Sequence, residues 1–170
     1  MLNRVFFLNI LNIAILMLAQ VFVFNNMHFF HQYIPIIYIF WIIFYPYENS
    51  DGLLFLVLSF LLGVSVDLLM DTGGVNAFAS VLIAQIKNPL IRYFSGLQRE
   101  MKIFHFSDFS FIQFVSYVVV MVIIHHSALF LLDGFKISNL LVSLEEVLIT
   151  AGFSFLFIII IYVFFKNMIH

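Results

Sequence analysis

Cysteine is absent from the sequence, and charged residues are scarce, at 9% of the 170 positions. Without cysteine the chain forms no disulfide, offers no thiolate nucleophile and has no Cys-based metal site. Soluble domains carry about 25% charged residues, so this shortage excludes an ordinary soluble domain. The net charge of −2 comes without a dense basic cluster, which excludes nucleic acid as a partner.

Apolar residues dominate instead, at 64% of the chain, and the mean hydropathy is +1.14. A soluble core of this size has no room for so much apolar surface, so the sequence predicts an integral membrane protein. Arg4 and the apolar run behind it resemble a signal peptide. That run is about 20 residues long and lacks a small-residue cleavage site, so we predict a retained first helix.

The hydropathy pattern predicts an all-α bundle of six transmembrane helices, in a single transmembrane domain over residues 1–170. A helix needs about 20 apolar residues to cross the hydrocarbon core. The candidate helices lie roughly at 5–24, 32–46, 53–70, 75–94, 109–132 and 140–165. The second is short and bounded by Pro35 and Pro46. The fourth contains Pro89, and a fourth helix that ends near Gln85, or a total of five helices, is the main alternative.

The basic residues predict the orientation of this bundle. With six helices and a cytoplasmic N-terminus, the outer side holds one basic residue, Lys136. Six basic residues then lie on the cytoplasmic side, which is a strong positive-inside bias and places both termini in the cytoplasm. They are Arg4, Lys87, Arg92, Arg99, Lys102 and Lys166.

Four of these basic residues form a predicted cytoplasmic basic loop after helix four, namely Lys87, Arg92, Arg99 and Lys102. One interpretation is attachment to anionic lipid headgroups, each Lys or Arg contributing about 1 kcal/mol near the surface. The other is a docking site for a cytoplasmic partner.

Asp67 lies inside the apolar third segment, four residues after Gly63 and shortly before Gly73 and Gly74. A charged side chain at the centre of a membrane helix costs roughly 2.5–3.5 kcal/mol or more, so such residues usually face other helices and have a function. Small residues let helix backbones approach closely. We expect Asp67 either to hold helices three and four together or to belong to a partner interface.

Other polar residues fall toward the outer end of the predicted bundle. Asp71, His125, His126 and Glu146 form a predicted intramembrane polar cluster. Coulomb attraction is stronger at low dielectric, so a pair between Asp67 and one of the two histidines is a reasonable hypothesis. Adjacent helix residues point about 100° apart, so both histidines cannot face Asp67.

No sequence motif in the chain predicts chemistry. The adjacent histidines have poor spacing for a metal on a helix, and no serine lies in a nucleophile elbow. We therefore predict no metal, no cofactor and no enzymatic activity. The residues from Ser143 to Glu146 match a capping box, which predicts a start of helix six at about residue 144.

The segment from Pro35 to Ala84 resembles the rod shape-determining protein MreD family. The resemblance rests on an ordered set of motifs: Pro35, Trp41 and Pro46 in the second helix, Gly63-Val-Ser-Val-Asp67-Leu68 in the third, then Gly74-Val75 and Ala77. Length, helix count and the basic loop also match, whereas the remaining 120 or so residues match only in hydropathy. Asp71 and the two histidines are departures from the family pattern.

The resemblance implies a non-enzymatic scaffold in the bacterial inner membrane that supports cell elongation and peptidoglycan synthesis. It implies association with an MreC-like bitopic partner and, indirectly, with an MreB-like filament, a SEDS glycosyltransferase and a penicillin-binding transpeptidase. It also implies that Gly63, Asp67, Gly74 and Ala77 form a packing or partner motif. Leucine at position 63 would then block complex formation without preventing insertion.

A second hypothesis follows from the outer carboxylates and histidines, which could line a cavity reached from outside. MreD proteins also look like the six-helix substrate-binding subunits of energy-coupling factor transporters. The alternative function is therefore a substrate-binding membrane subunit of a small-molecule or ion transporter, although likeness at the level of fold does not fix function.

Overall fold

The structure, a computed structural model, describes residues 2–27, 29, 33–50, 52–96, 103–132 and 140–169. These residues are all-helical in character, as predicted, with one isolated bridge between Phe29 and Tyr33. The helices are α1 (Leu2–Phe22), α2 (Phe40–Phe44), α3 (Leu53–Met70), α4 (Val75–Ser95), α5 (Phe111–Leu132) and α6 (Leu140–Ile169). Helix α6 begins at Leu140, as the hydropathy pattern predicts, so the start at about residue 144 that the capping box predicts is wrong.

Four of the described segments are long and apolar enough to span a membrane, which is typical of a membrane protein. They are Phe6–Asn26, Leu53–Met70, Phe111–Leu132 and Leu144–Phe165. The sequence predicts six such helices, and the described residues contain four. Helix α4 has the length but is less apolar, and α2 has only five residues.

The predicted second helix over 32–46 is wrong for most of its described length. Residues 34–37 are not helical, and the helix is confined to Phe40–Phe44. Pro35 has no N–H to donate, and the residue before a proline is disfavoured in helical conformation. Three isoleucines, Ile34, Ile36 and Ile37, add β-branched side chains with low helix propensity.

Side chains of the long helices supply the hydrogen bonds that this non-helical segment lacks. The Gln20 amide accepts from the Ile37 N–H at 2.7 Å and donates to the Pro35 carbonyl at 3.0 Å. The Ile36 N–H donates to Ser154 Oγ at 2.8 Å. Non-helical backbone is tolerated at membrane depth only where protein or a cavity replaces the missing partners.

The segment around α2 lies in the middle of the fold. Most residues from Ile37 to Tyr47 are buried and belong to the main hydrophobic core. Pro35, at the start of the segment, contacts Gln20 near the end of α1. Tyr45, farther along the segment, has its hydroxyl 3.5 Å from the amide of Asn9, in the first half of α1. The segment therefore runs antiparallel to α1 along the bundle.

Helices α3, α4, α5 and α6 pack in chain order, and α1 packs on α3. We call the end of the bundle that holds residues 71–74 the turn end, where α1, α3 and α5 end and α4 and α6 begin. Helix α4 continues through Pro89 to Ser95, close to the predicted bounds of 75–94, so the alternative end near Gln85 is wrong. It stops at Gly96, whose left-handed backbone (φ 69°) is typical of a helix C-cap.

Candidate functional site

Asp67 caps helix α4 from the preceding helix. The residue at the N-cap position of α4 is Gly74, which has no side chain to offer. One Asp67 oxygen accepts from the backbone N–H and the side-chain amide of Asn76, both at 3.0 Å, and from the Thr72 hydroxyl. The other accepts from the Ala77 N–H at 2.8 Å. A carboxylate at this place satisfies orphan N–H groups and complements the positive end of the helix dipole.

Gly63 permits the close approach that this capping requires. A Cβ atom at position 63 would lie 2.5 Å from the Ala77 Cα and 2.6 Å from the Asn76 carbonyl oxygen. No real side chain tolerates such distances to backbone, so glycine is required for the α3–α4 contact. Gly63, Asp67 and Ala77 therefore meet inside this chain. A direct role of these residues in binding a partner stays a prediction.

The turn between α3 and α4 depends on left-handed backbone. Gly73 and Gly74 have φ of 65° and 97°, values that glycine adopts without a Cβ penalty. Asp71 also has a positive φ of 55° and donates its N–H to the Asp67 carbonyl as the C-cap of α3. Because α3 ends at Met70, Asp71 turns outward and is exposed. The prediction that it joins an intramembrane cluster is wrong.

A buried chain of hydrogen bonds links Asp67 to His125. The Asn76 amide that donates to Asp67 has its oxygen 2.9 Å from the Tyr38 hydroxyl, which lies 2.8 Å from His125 Nε2. The predicted direct pair between Asp67 and a histidine is therefore wrong. Tyr38 and Asn76 stand between the two groups.

The Asp67 carboxylate fixes the direction of the protons in this chain. A carboxylate only accepts, so the Asn76 NH₂ faces it and the Asn76 oxygen faces Tyr38. Tyr38 must then donate to Asn76, and His125 Nε2–H must donate to Tyr38. His125 Nδ1 is left without a hydrogen bond among the described residues, as is the nearby Ser80 hydroxyl. Both side chains are fully buried.

His126 holds a different set of elements together. Its Nδ1 lies 2.9 Å from the Val122 carbonyl and its Nε2 lies 3.0 Å from Ser154 Oγ. The Ile36 N–H donates to the same Ser154 oxygen. A carbonyl only accepts, so Nδ1 carries the proton. His125 thus contacts Tyr38, just before α2, whereas His126 joins α5 to α6 through Ser154.

A cavity of about 260 Å³ opens at the turn end, between α1, the segment before α2, and the ends of α3 to α6. Its wall is mostly apolar, and polar side chains that include Asn76, His126 and Glu146 converge on it. The structure thus brings His126 and Glu146 of the predicted cluster to one place. His125 lies behind Tyr38, outside this lining.

The structure describes two members of the predicted basic loop, and the prediction is wrong for Lys87, which lies inside the bundle. Lys87 and Arg92 both belong to α4. Lys87 is fully buried, with Nζ 3.4 Å from Ser50 Oγ and above the rings of Phe55 and Phe106. The Nζ atom lies 5.8 and 5.9 Å from the two ring centroids, within the range of a cation–π interaction. Arg99 and Lys102 lie outside the described residues.

Sequence reasoning missed Tyr38, Asn76 and Lys87 as members of buried polar sites. Asn76 carried a usable signal, because it is the second residue of α4, and the glycine turn before this helix offers no side-chain cap. Tyr38 carried none, since it stands in an apolar segment that was predicted as a plain helix.

Comparison with known proteins identifies no relative: no family model, no curated protein and no solved structure matches this chain.

Proposed function

We propose that this chain is a non-enzymatic scaffold of the bacterial cell-elongation machinery, similar to the MreD family. The observation that carries the proposal is the geometry of the residues on which the resemblance rests. Gly63, Asp67, Gly74 and Ala77 are spread over two helices and the turn between them, yet they build a single α3–α4 clamp. A motif with one shared structural purpose supports the resemblance better than a set of unrelated matches would.

The proposed location is the bacterial inner membrane, with both termini in the cytoplasm. The four helices long and apolar enough to span a membrane support the membrane part of this proposal. The proposed partner is an MreC-like bitopic protein, which would bring in the MreB-like filament, the SEDS glycosyltransferase and the transpeptidase. Its transmembrane helix would bind to an apolar face of the bundle, where packing and lipid release supply the free energy.

Site-specific photo-crosslinking tests this partner. A photoreactive residue is placed singly at exposed positions, one on each long helix: Phe7, Leu68, Tyr93, Ile112 and Phe164. We expect crosslinks to a bitopic membrane protein from one or two neighbouring helices, with the other positions as internal controls. Absence of such a product from every position, in native membranes with normal expression, would reject the scaffold proposal.

The second candidate is a substrate-binding membrane subunit of a transporter, and the cavity at the turn end favours it. The non-helical segment that forms part of the cavity wall adds to this support, because discontinuous helices often mark transport sites. Ligand-dependent stabilisation of the purified protein would favour this candidate.

A further inference from the structure

The cavity at the turn end has the construction of a ligand site. Protein sites for small molecules are mostly apolar hollows with a few polar groups that fix orientation. Here apolar side chains such as Ile36, Val66 and Leu129 form the wall, and Thr72 and Asn76 present polar groups to it. A volume of about 260 Å³ admits a compact organic molecule.

The polar groups are anchored before any ligand arrives. Asn76 is held by Asp67 and Tyr38, and His126 by Val122 and Ser154. Asn76 and His126 are buried, with 6% and 3% of their surfaces exposed. Binding therefore requires little ordering of the wall, which lowers the entropic cost of association.

The formal charge in the described cavity lining is negative. Glu146 is the one formally charged side chain in the described lining, which contains no lysine or arginine. Glu146 is exposed and has no ion pair with a described residue. The C-terminal ends of α1, α3 and α5 add partial negative charge, and Asp67 already occupies the positive end of α4. The N-terminal end of α6, which also lies at the turn end, adds partial positive charge.

We propose that this cavity binds a ligand that carries an ammonium group on a compact apolar body. The Glu146 carboxylate is the counter-ion of the ammonium group, and the apolar wall takes the body. The same chemistry occurs in free organic amines and in the headgroup of phosphatidylethanolamine. The proposal rests on the cavity alone, so it stands apart from the scaffold function and gives the transporter candidate a ligand class.

Three probes of matched shape and different charge test this proposal on the purified full chain in a non-ionic detergent. They are phenethylamine, 2-phenylethanol and phenylacetate, titrated by calorimetry. We expect phenethylamine to bind about tenfold more tightly than the alcohol, and phenylacetate more weakly than both. Equal affinity for amine and alcohol, or preference for phenylacetate, would overturn the proposal.

Two neighbouring acids provide the variant and its matched control. Glu145 and Glu146 are both exposed on α6, but only Glu146 is in the cavity lining. The E146Q variant is expected to lose the preference for the amine, and E145Q to keep it. A preference that survives E146Q would contradict the assignment of the counter-ion, and circular dichroism checks that both variants keep their helices.

A competition arm distinguishes the two sources of the ammonium group. Phenethylamine is titrated in nanodiscs of phosphatidylglycerol with and without phosphatidylethanolamine. Loss of amine binding when phosphatidylethanolamine is present identifies the lipid headgroup as the ligand, and unchanged binding identifies a free amine. Amine affinity equal to that of empty nanodiscs in both lipid mixtures would overturn the site itself.

Discussion

At the scale of single residues, Asp67 shows how a carboxylate is accommodated inside an apolar protein. Its two oxygens receive four hydrogen bonds, two of them from the first-turn N–H groups of α4. Hydrogen bonds to a charged acceptor are about twice as strong as neutral ones. The burial of Asp67 is thus explained by capping, and a histidine partner is not needed for it.

Asparagine at position 67 keeps the size of the side chain but turns one acceptor oxygen into a donor. The NH₂ group would then point at N–H or O–H donors and leave them without an acceptor. We therefore expect D67N to lower the free energy of unfolding by about 1–3 kcal/mol. Thermal unfolding in detergent measures the loss. The matched control is D71N, which keeps an exposed, left-handed position that asparagine adopts readily, and it should unfold like wild type. Equal stability of both variants would contradict the capping account.

Alanine at position 63 tests the close approach of α3 and α4. Its Cβ would lie 2.5 Å from the Ala77 Cα, so the helices must separate, at a cost of about 1–3 kcal/mol. At Gly152, in α6, an added Cβ meets nothing within 4 Å, and G152A should gain about 0.5–1 kcal/mol of helix stability. The comparison of the two melting temperatures checks the prediction, and a harmless G63A would refute it. The G63L variant is expected to fail through misfolding, before partner binding is tested.

At the scale of elements, the sequence predicted the long helices well and the second helix poorly. The third helix has the predicted bounds of 53–70, and the fourth, fifth and sixth begin or end within a few residues of prediction. These helices form because long apolar runs in lipid must satisfy their own backbone. Residues 34–37 are not helical, because Gln20 and Ser154, which are distant in sequence, provide hydrogen bonds to their backbone. Such long-range pairs leave no trace in local hydropathy.

Loss of the Gln20 amide should loosen the backbone of residues 35–38, just before α2. Q20A removes the partners of the Ile37 N–H and the Pro35 carbonyl, and each buried group left unpaired costs about 1–3 kcal/mol. We expect a lower melting temperature and faster amide hydrogen exchange at residues 36–38. Asn12 is polar but exposed on the same helix, so N12A is the control and should change stability by less than about 0.5 kcal/mol. Unchanged exchange in Q20A would contradict this account of the segment.

At the scale of the whole molecule, the hydrogen-bonded polar groups lie mostly inside the bundle and the exterior is mainly apolar. The polar residues that sequence analysis singled out in α3 and α5 are mostly used inside, in the cap, in the chain to His125 and at the cavity wall. The outside of the helices presents large apolar residues such as Leu68 and Phe164. Lipid and a partner helix both fit such a surface, and packing decides between them.

The scaffold function was predictable from the sequence only through resemblance, and the structure adds physical reasons for some of the residues involved. The ordering of Gly63, Asp67 and Ala77 could be read from the sequence, and their meeting place could not. The cavity was anticipated as a hypothesis from the outer histidines and acids. Its actual wall uses His126 and Glu146 but replaces His125 and Asp71 with Tyr38, Asn76 and Thr72.

Cell shape after depletion tests the central claim most directly. The chain is depleted in its native host, cell width is imaged, and wild type, D67N and D71N are expressed for rescue. The scaffold proposal predicts round or widened cells, full rescue by wild type and D71N, and weaker rescue by D67N because its α3–α4 clamp is damaged. Normal cell width without the protein would contradict the proposal and move the substrate-binding candidate to the front.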